Sequence, residues 1–294
     1  MKNKILITGA KGQVGTELVL EANKRGYDVV GPASTELDIT DAGQVRQMLE
    51  GLSLCAVINA AAYTDVDGAE EHQNIAYSVN AEGVGNLAAV CKQLDIPLLH
   101  ISTDYVFDGE KESPYLESDE TKPTCVYGAS KLEGEQALQN GWQKHIILRV
   151  SWVFGANGHN FVKTMLRLSE SRDELSVVND QYGAPTAAKS IASCLLNIVE
   201  RSKFGAADFP WGVYHYQSEP GVTWYEFANE IFEQADAQGI LNKQVKVNPV
   251  SSSEFSAPVI RPSNSKLSGK KIQRVFDQPA DNWKNQLSEV FKVS

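Results

Sequence analysis

Three short polar residues follow an apolar run in the segment HISTDYVFDG, residues 100–109. Ser102, Thr103 and Asp104 stand where a strand formed by residues 96–101 would leave the core. In sheets of parallel strands, ligands bind in the crevice beyond the carboxyl ends of the strands. A hydroxyl group there can hydrogen-bond a substrate carbonyl and orient it for reaction. The pattern therefore predicts a polar site at the end of this strand.

A tyrosine and a lysine stand four residues apart in the segment YGASK, as Tyr127 and Lys131. On a helix this spacing places both side chains on one face. Tyrosine has an ordinary pKa near 10, and a nearby ammonium group favours the phenolate and lowers that pKa. Such a pair is often only part of a surface. Together with Thr103 upstream, it indicates proton transfer to or from a carbonyl oxygen.

Three glycines follow the first strand pattern in the segment LITGAKGQVG. Gly9, Gly12 and Gly15 stand between that strand and a helix, where glycines allow a tight turn and a close approach to a pyrophosphate. An NAD site usually carries an acid at the end of the second strand, but this chain reads VVGPAST there. The missing acid favours NADPH. The region has no arginine either, which leaves NADH open.

Apolar runs alternate with helical patterns through the first half of the chain. This alternation predicts an α/β fold, a Rossmann-type doubly wound parallel sheet with helices on both faces. The regularity fades after residue 152. We expect a dinucleotide-binding domain over residues 1–152 and a smaller, partly interleaved α/β substrate-binding domain over residues 153–294. Some segments of the second part are expected to return to the first domain.

Composition excludes several classes of protein. The chain has 294 residues, a formal net charge of −10 and no run of 18 apolar residues. These features argue against a nucleic-acid partner, a membrane partner and a membrane span. The four cysteines lack any C-x-x-C pairing, and the N-terminus lacks a signal-peptide core. We expect a cytoplasmic protein without a structural metal site.

Longer segments carry a family resemblance over almost the whole chain. The G-x-x-G-x-x-G spacing resembles the extended short-chain dehydrogenase/reductase superfamily. The segments INAAAYTDVDGAE, ISTDYVF, YGASKLEGE, RVSWVFG and NDQYGAPT resemble the dTDP-4-dehydrorhamnose reductases in particular. The resemblance implies a catalytic triad of Thr103, Tyr127 and Lys131, and substrate contacts at Thr103, Asp104 and Trp152. Beside the glycines, it implies dinucleotide contacts at Gly12, Gln13, Val14, Asp38, Ile39, Ala62, Tyr63, Thr64, Tyr127 and Lys131.

Further features follow from the same resemblance. Asn80 matches an asparagine that supports the lysine through water, although a solvent-facing or capping role is an alternative. Asp38 has the alternative role of a helix N-cap. Relatives that bind Mg²⁺ at a dimer interface use acidic residues, whereas this chain has Glu17 at one position and Lys189 at the other. Since lysine cannot ligate a hard cation, we expect no Mg²⁺ and a monomer or weak homodimer.

The resemblance implies reduction of the C4 ketone of a nucleotide sugar, dTDP-4-dehydro-β-L-rhamnose. Tyr127 would donate a proton, Lys131 would hold the nicotinamide ribose and lower the tyrosine pKa, and Thr103 would position the carbonyl. One alternative is an epimerase or dehydratase of the same superfamily. Dehydratases carry Thr-Asp-Glu at the strand end, whereas Tyr105 takes the third place here. The other alternative is a dinucleotide-binding regulatory subunit without activity.

Overall fold

The computed structural model describes residues 3–202, 208–255 and 259–293. Its strands are β1 (Lys4–Thr8), β2 (Asp28–Val30), β3 (Leu54–Asn59), β4 (Leu98–Thr103), β5 (His145–Val150), β6 (Val153–Phe154), β7 (Glu174–Val178), β8 (Tyr182–Gly183), β9 (Thr186–Ala187), β10 (Gly212–His215), β11 (Val222–Thr223) and β12 (Lys246–Val250). Its helices are α1 (Gln13–Lys24), α2 (Ala42–Glu50), α3 (Val66–Glu71), α4 (Gln73–Tyr77), α5 (Gly83–Gln93), α6 (Val126–Gly141), α7 (Phe161–Ser169), α8 (Ala188–Ser202), α9 (Trp224–Ala237), α10 (Lys270–Phe276) and α11 (Trp283–Val293).

Six parallel strands form the main sheet, in the order β10-β5-β4-β3-β1-β2. β5 is buried along its whole length, and β4 is buried except at Ile101, as expected for strands covered on both faces. The chain leaves β1 for β2 on one side and later adds β3 on the other side. The carboxyl ends of β1 and β3 therefore flank the switch point at which a doubly wound sheet binds its ligand.

Each face of this sheet carries its own apolar core. Successive side chains of β1 point to opposite faces, so Ile5 and Ile7 join one core and Leu6 joins the other. The first core includes apolar residues of α1, α8 and α10, and the second includes residues of α2, α5 and α6. The predicted α/β doubly wound sheet is confirmed.

A third core lies in the second half of the chain. Phe154, Met165, Phe227 and Trp283 belong to it, together with apolar residues of β7 and α11. Three two-stranded sheets, β6–β9, β7–β12 and β8–β11, accompany this core. In contrast, α8 packs in the first core and β10 joins the main sheet, so the chain returns to the first half after residue 187.

The helical segment over residues 73–93 is not α-helical throughout. α4 is followed by a π-helical turn, Ser78–Glu82, before α5 begins at Gly83. Such turns are frequent at functional sites because they re-aim the side chains that they carry. Within the described parts of the chain, no helix has both the length and the apolar character needed to cross a membrane.

Candidate active site

A cavity of about 840 Å³ lies at the carboxyl ends of β1, β3 and β4. It is bounded by the loops that follow these strands and by the beginnings of α1 and α6. Of the residues predicted to contact the dinucleotide or the substrate, Gly15 alone does not line it. Those that do are Gly9, Gly12, Gln13, Val14, Asp38, Ile39, Ala62, Tyr63, Thr64, Thr103, Asp104, Tyr127, Lys131 and Trp152.

The glycine loop leaves the N-terminus of α1 facing the cavity. Gly12 is the N-cap of α1 and offers no side chain to the free N–H groups, which can bind an anion. Gly15 lies one turn inside the helix, and a Cβ there would stand 2.0 Å from the carbonyl oxygen of Gly9. Gly15 therefore acts through close packing of helix and loop, and its location explains why it does not line the cavity.

Gln13 connects the glycine loop to the second half of the chain. Its side-chain amide donates to the Val153 carbonyl at 3.2 Å and accepts from Asn160 Nδ2 at 2.7 Å. Gly158 and His159 line the cavity beside it. Gln13 thus fixes the loop against the segment that closes the cavity on this side.

The end of β2 carries no acidic side chain toward the cavity. After β2, Pro32 and Ser34 line the cavity. Asp38 lies further along the chain, and its Oδ1 accepts hydrogen bonds from the backbone N–H and the hydroxyl group of Thr40. The N-cap of α2 is Asp41, so the alternative role of Asp38 as a helix cap is wrong. The cavity can accept a phosphate on the ribose without repulsion from a strand-end acid.

Asn80 is fully buried in the π-helical turn and is not solvent-facing. Its amide accepts from the Tyr63 N–H at 2.9 Å and donates to the Tyr63 carbonyl at 3.0 Å. It also donates to Ser130 Oγ at 3.0 Å, and that hydroxyl donates to the Tyr127 carbonyl at 2.8 Å. Asn80 therefore connects the loop after β3 to the first turn of α6.

Thr103 and Asp104 form a buried pair at the end of β4. Thr103 Oγ1 accepts from the Tyr105 N–H at 3.2 Å and donates to Asp104 Oδ1 at 3.1 Å. Burial raises the pKa of Asp104 to about 6, against the opposing effect of hydrogen bonds from Ser265 and Thr103. Near neutral pH this carboxyl group can exchange a proton, and it lies on the cavity wall beside a hydroxyl.

Tyr127 lies in the first turn of α6 and lines the same cavity as this pair. Burial raises the pKa of its hydroxyl group, and a hydrogen bond with Thr103 opposes that effect. The ring of Tyr105 packs against it edge-on, with the centroids 5.5 Å apart. Tyr127 is therefore a protonated, buried hydroxyl group at neutral pH, which is the form that a proton donor needs.

Lys131 lies one turn further along α6 and is almost fully buried. Its Nζ donates to the Ile101 carbonyl at 2.8 Å and lies 3.2 Å from His100 Nε2. Burial lowers its pKa to about 8, although Glu135 acts in the opposite direction. The spacing of the two residues predicts that the Lys131 ammonium group lowers the pKa of Tyr127. In the structure burial raises that pKa, and Thr103, not Lys131, opposes the effect.

Trp152 lies beyond β5 and lines the cavity. Its backbone has a φ of +47°, which is uncommon for a residue with a bulky side chain. Its ring stacks on Trp224, with the centroids 3.6 Å apart and the planes 12° from parallel. One face of Trp152 is thus covered by protein, and its backbone strain is held by this packing.

The positions associated with Mg²⁺ have other partners here. Glu17 accepts a hydrogen bond from Asn157 Nδ2 at 3.1 Å, and Lys189 is exposed near Glu289. No cluster of three or more His, Cys, Asp or Glu side chains suited to a metal ion exists among the residues that the structure describes.

Sequence reasoning missed two side chains of the site. His100 contacts Lys131, and Trp224 stacks on Trp152. Tyr105, which the sequence had singled out for another reason, packs on Tyr127. His100 offered one signal, because it is a polar residue inside an apolar strand next to Ser102. Trp224 offered none, since its distance from Trp152 along the chain gives no indication of contact.

The chain resembles known proteins over its whole length. Residues 2–294 match the family described as RmlD substrate binding domain. The dTDP-4-dehydrorhamnose reductase of Aggregatibacter actinomycetemcomitans is 44% identical over 98% of both chains, and that of Escherichia coli K12 is 39% identical over 99% of both. A crystal structure of the Bacillus anthracis dTDP-4-dehydrorhamnose reductase in complex with NADP superposes with a TM-score of 0.92, 36% identity and complete coverage of both chains.

Proposed function

The chain belongs to the dTDP-4-dehydrorhamnose reductase family, and from this premise we propose that Thr103, Tyr127 and Lys131 carry out its reaction. The reaction is the NADPH-dependent reduction of the C4 ketone of dTDP-4-dehydro-β-L-rhamnose to dTDP-β-L-rhamnose, the last step of dTDP-L-rhamnose synthesis. The single observation that carries the residue assignment is that Thr103, Tyr127 and Lys131 all line one cavity at the end of β4, with Lys131 one turn beyond Tyr127 on α6.

The residues around the cavity fit a dinucleotide phosphate. The cavity reaches the uncapped N-terminus of α1, and no strand-end acid opposes a ribose phosphate at Pro32 and Ser34. The Ser102 hydroxyl is buried on the cavity wall and has no hydrogen-bond partner among the described residues. Gly9, Gly12, Gln13 and Val14 would hold the pyrophosphate, and the carbonyl carbon C4 receives a hydride from bound NADPH.

Tyr127 supplies the proton of the reduction. Its raised pKa keeps the hydroxyl group protonated until the developing negative charge on the C4 oxygen takes the proton. Thr103 stands beside it, and its hydroxyl group is held in one orientation because it accepts from the Tyr105 N–H and donates to Asp104 Oδ1. Orientation by two fixed hydroxyl groups lowers the entropy cost of reaching the transition state.

Lys131 would hold the nicotinamide ribose from the next turn of α6. Its side chain reaches the cavity wall between Tyr127 and the end of β4. Once Tyr127 has lost its proton, a lysine ammonium group nearby stabilises the phenolate.

The substrate would lie between the end of β4 and Trp152. Asp104 offers hydrogen-bonding oxygens, and Trp152 offers a flat apolar edge for the sugar. The third core, which places the stacking partner Trp224, would belong to a substrate-binding domain within residues 153–294.

The test supplies purified protein with dTDP-4-dehydro-L-rhamnose, follows NADPH absorbance and identifies the sugar product. We expect stoichiometric consumption of NADPH and formation of dTDP-L-rhamnose. Tyr127→Phe should lose at least about a hundredfold in kcat while its NADPH affinity changes little, as expected when a proton donor is removed. Turnover of Tyr127→Phe at the wild-type rate would refute the assignment of the proton donor.

The partners and location are also proposals. We propose that a nucleotide sugar is the sole substrate partner and that the protein works in the cytoplasm as a monomer or weak homodimer. Cys91, Cys125 and Cys194 are buried thiols outside any disulfide, which suits a reducing compartment. Sedimentation with and without Mg²⁺ tests the assembly, and a stable dimer formed by Mg²⁺ would contradict it.

A further inference from the structure

A chain of buried polar groups connects the switch point of the sheet to Lys131. Thr8 Oγ1 donates to Asn59 Oδ1 at 2.5 Å, and Asn59 Nδ2 lies 2.9 Å from His100 Nδ1. His100 Nε2 in turn lies 3.2 Å from Lys131 Nζ. All four side chains are at most 2% exposed, so water does not compete for these contacts. The hydrogen-bond roles along the chain must therefore be mutually consistent.

The backbone determines these roles. The Ala61 N–H donates to Asn59 Oδ1 at 3.2 Å, so the oxygen of this amide must face Ala61 and its NH₂ group must face His100. Asn59 Nδ2 then donates to His100 Nδ1, which has no proton. A neutral imidazole with a bare Nδ1 carries its hydrogen on Nε2. His100 thus presents an N–H donor to Lys131.

A lysine ammonium group has three donors and no acceptor, so it cannot pair with that N–H. A neutral amine can, because its lone pair accepts from His100 Nε2 while one of its hydrogens bonds the Ile101 carbonyl. The observed contacts therefore fit the neutral amine.

We propose that His100 is a positioning residue for Lys131: its Nε2–H holds the neutral amine against β4, and protonation of the amine breaks this contact. Lys131 lines the cavity that Tyr127 also lines, so loss of the contact leaves the ammonium group free to turn toward a ligand there.

Few charged groups act on this pair. Among the described residues, Glu135 of α6 favours the charged form of Lys131, but Arg149 of β5 binds that carboxylate through two nitrogens, at 2.9 and 2.6 Å. Asp104 and Tyr127 lie at the same end of β4. Burial raises the pKa of both groups, the Asp104 charge raises that of Tyr127 further, and hydrogen bonds from Ser265 and Thr103 oppose the shift of Asp104. Burial itself lowers the pKa of both His100 and Lys131.

The consequence for catalysis rests on the proposed function. If the ammonium form of Lys131 holds the ribose and stabilises the Tyr127 phenolate, turnover falls as the pH rises through the pKa of Lys131. His100 then sets the alkaline limit of the reaction by stabilising the neutral form of Lys131.

The first test measures protonation in the protein alone and is independent of turnover. Nitrogen-15 NMR of the imidazole groups should show His100 as the Nε2–H tautomer from pH 6 to pH 9. Titration of labelled lysine side chains should show Lys131, assigned with Lys131→Arg, changing charge near pH 8, about two units below an exposed lysine. An Nδ1–H tautomer, an imidazolium, or a Lys131 that titrates with the other lysines would each overturn the proposal.

The second test replaces the donor. In His100→Gln, the amide oxygen can accept from both Asn59 and an ammonium group, so the midpoint of Lys131 should rise by about one unit or more, and the alkaline limb of kcat should rise with it. His145→Gln is the matched control, because His145 is also buried but its ring contacts the Trp142 carbonyl instead. An unchanged Lys131 midpoint in a folded His100→Gln protein would refute the proposal even if the reductase assignment holds.

Discussion

The ring of Tyr105 meets the ring of Tyr127 edge-on, with centroids 5.5 Å apart and planes inclined by 76°. Tyr105 lies in the short turn after β4, and Tyr127 lies in the first turn of α6. The contact therefore joins the element that carries Thr103 to the element that carries the proposed proton donor. Tyr105 stands where the Thr-Asp-Glu pattern of dehydratases has Glu, and in this chain its ring packs against Tyr127.

Replacement of Tyr105 should affect turnover according to whether the ring remains. An edge-to-face aromatic pair contributes about 0.5–1.5 kcal/mol beyond burial. We expect Tyr105→Phe to keep kcat within about twofold, and Tyr105→Ala to lower it by about tenfold because Tyr127 gains freedom. Steady-state kinetics at saturating substrate measure both. Equal rates for the Phe and Ala variants would show that the ring does not position Tyr127.

Asp104 should make the protein less stable as the pH rises. Its pKa in the folded protein, about 6, lies above the ordinary value of 3.8, so the folded state binds more protons than the unfolded state between these values. Stability is therefore lost as the pH rises from about 4 to about 6, and the loss is complete above that window. A shift of about two units corresponds to about 3 kcal/mol.

Asp104→Asn should remove this dependence. At pH 7 the variant should be more stable than the wild type by up to about 3 kcal/mol, and the difference should shrink toward zero near pH 4. Urea denaturation at several pH values measures it. Asp95→Asn is a suitable control, since Asp95 is exposed and pairs with Lys144 at the surface. The opposite slope, with Asp104→Asn least stable at pH 7, would contradict a raised pKa.

Trp224 should affect the binding of substrate without touching the dinucleotide site. It covers one face of Trp152, whose backbone has an uncommon positive φ. Without this support Trp152 is free to leave the cavity wall. We expect Trp224→Ala to raise the KM for the nucleotide sugar by about tenfold, equivalent to about 1.4 kcal/mol, with the KM for NADPH unchanged. Trp224→Phe should have a KM for the nucleotide sugar between those of the wild type and Trp224→Ala. An equal rise in the KM values for the nucleotide sugar and for NADPH would indicate a general loss of structure.

Much of the site could be predicted from local sequence because its parts are determined locally. The turn of Gly9, Gly12 and Gly15 follows from one strand and one helix, and the common face of Tyr127 and Lys131 follows from helical spacing. The polar residues after β4 then come to the same edge, because the carboxyl ends of parallel strands share it. These inferences need no knowledge of how distant segments pack.

The remainder depends on tertiary contacts that leave no local pattern. His100 reads as one polar residue in an apolar strand, and only the packing of α6 on β4 brings Lys131 to it. The raised pKa of Tyr127 also depends on tertiary packing, because it results from burial. A lysine four residues away predicts a lowered value, but the direction of the Lys131 side chain and the exclusion of water decide the outcome. Protonation in this site is a property of the packed structure.

The close approach of α6 to the turn after β4 gives a final prediction. A Cβ on Gly128 would lie 2.1 Å from the Tyr105 carbonyl oxygen, a backbone atom that cannot move without shifting the end of β4. Gly128→Ala should therefore displace Tyr127 from Thr103, lower kcat by more than about tenfold and destabilise the fold by about 1–3 kcal/mol.

Gly85→Ala is the matched control for this substitution. Gly85 is also a helical glycine, but a Cβ there meets only the Ala137 side chain at 3.7 Å, an ordinary contact. Alanine is the better helix former by about 1 kcal/mol, so Gly85→Ala should raise the unfolding temperature and leave kcat unchanged. Thermal unfolding and kinetics on both variants separate the effects. If Gly128→Ala also gained stability and kept its kcat, then α6 would not be held against Tyr105 as tightly as the structure shows.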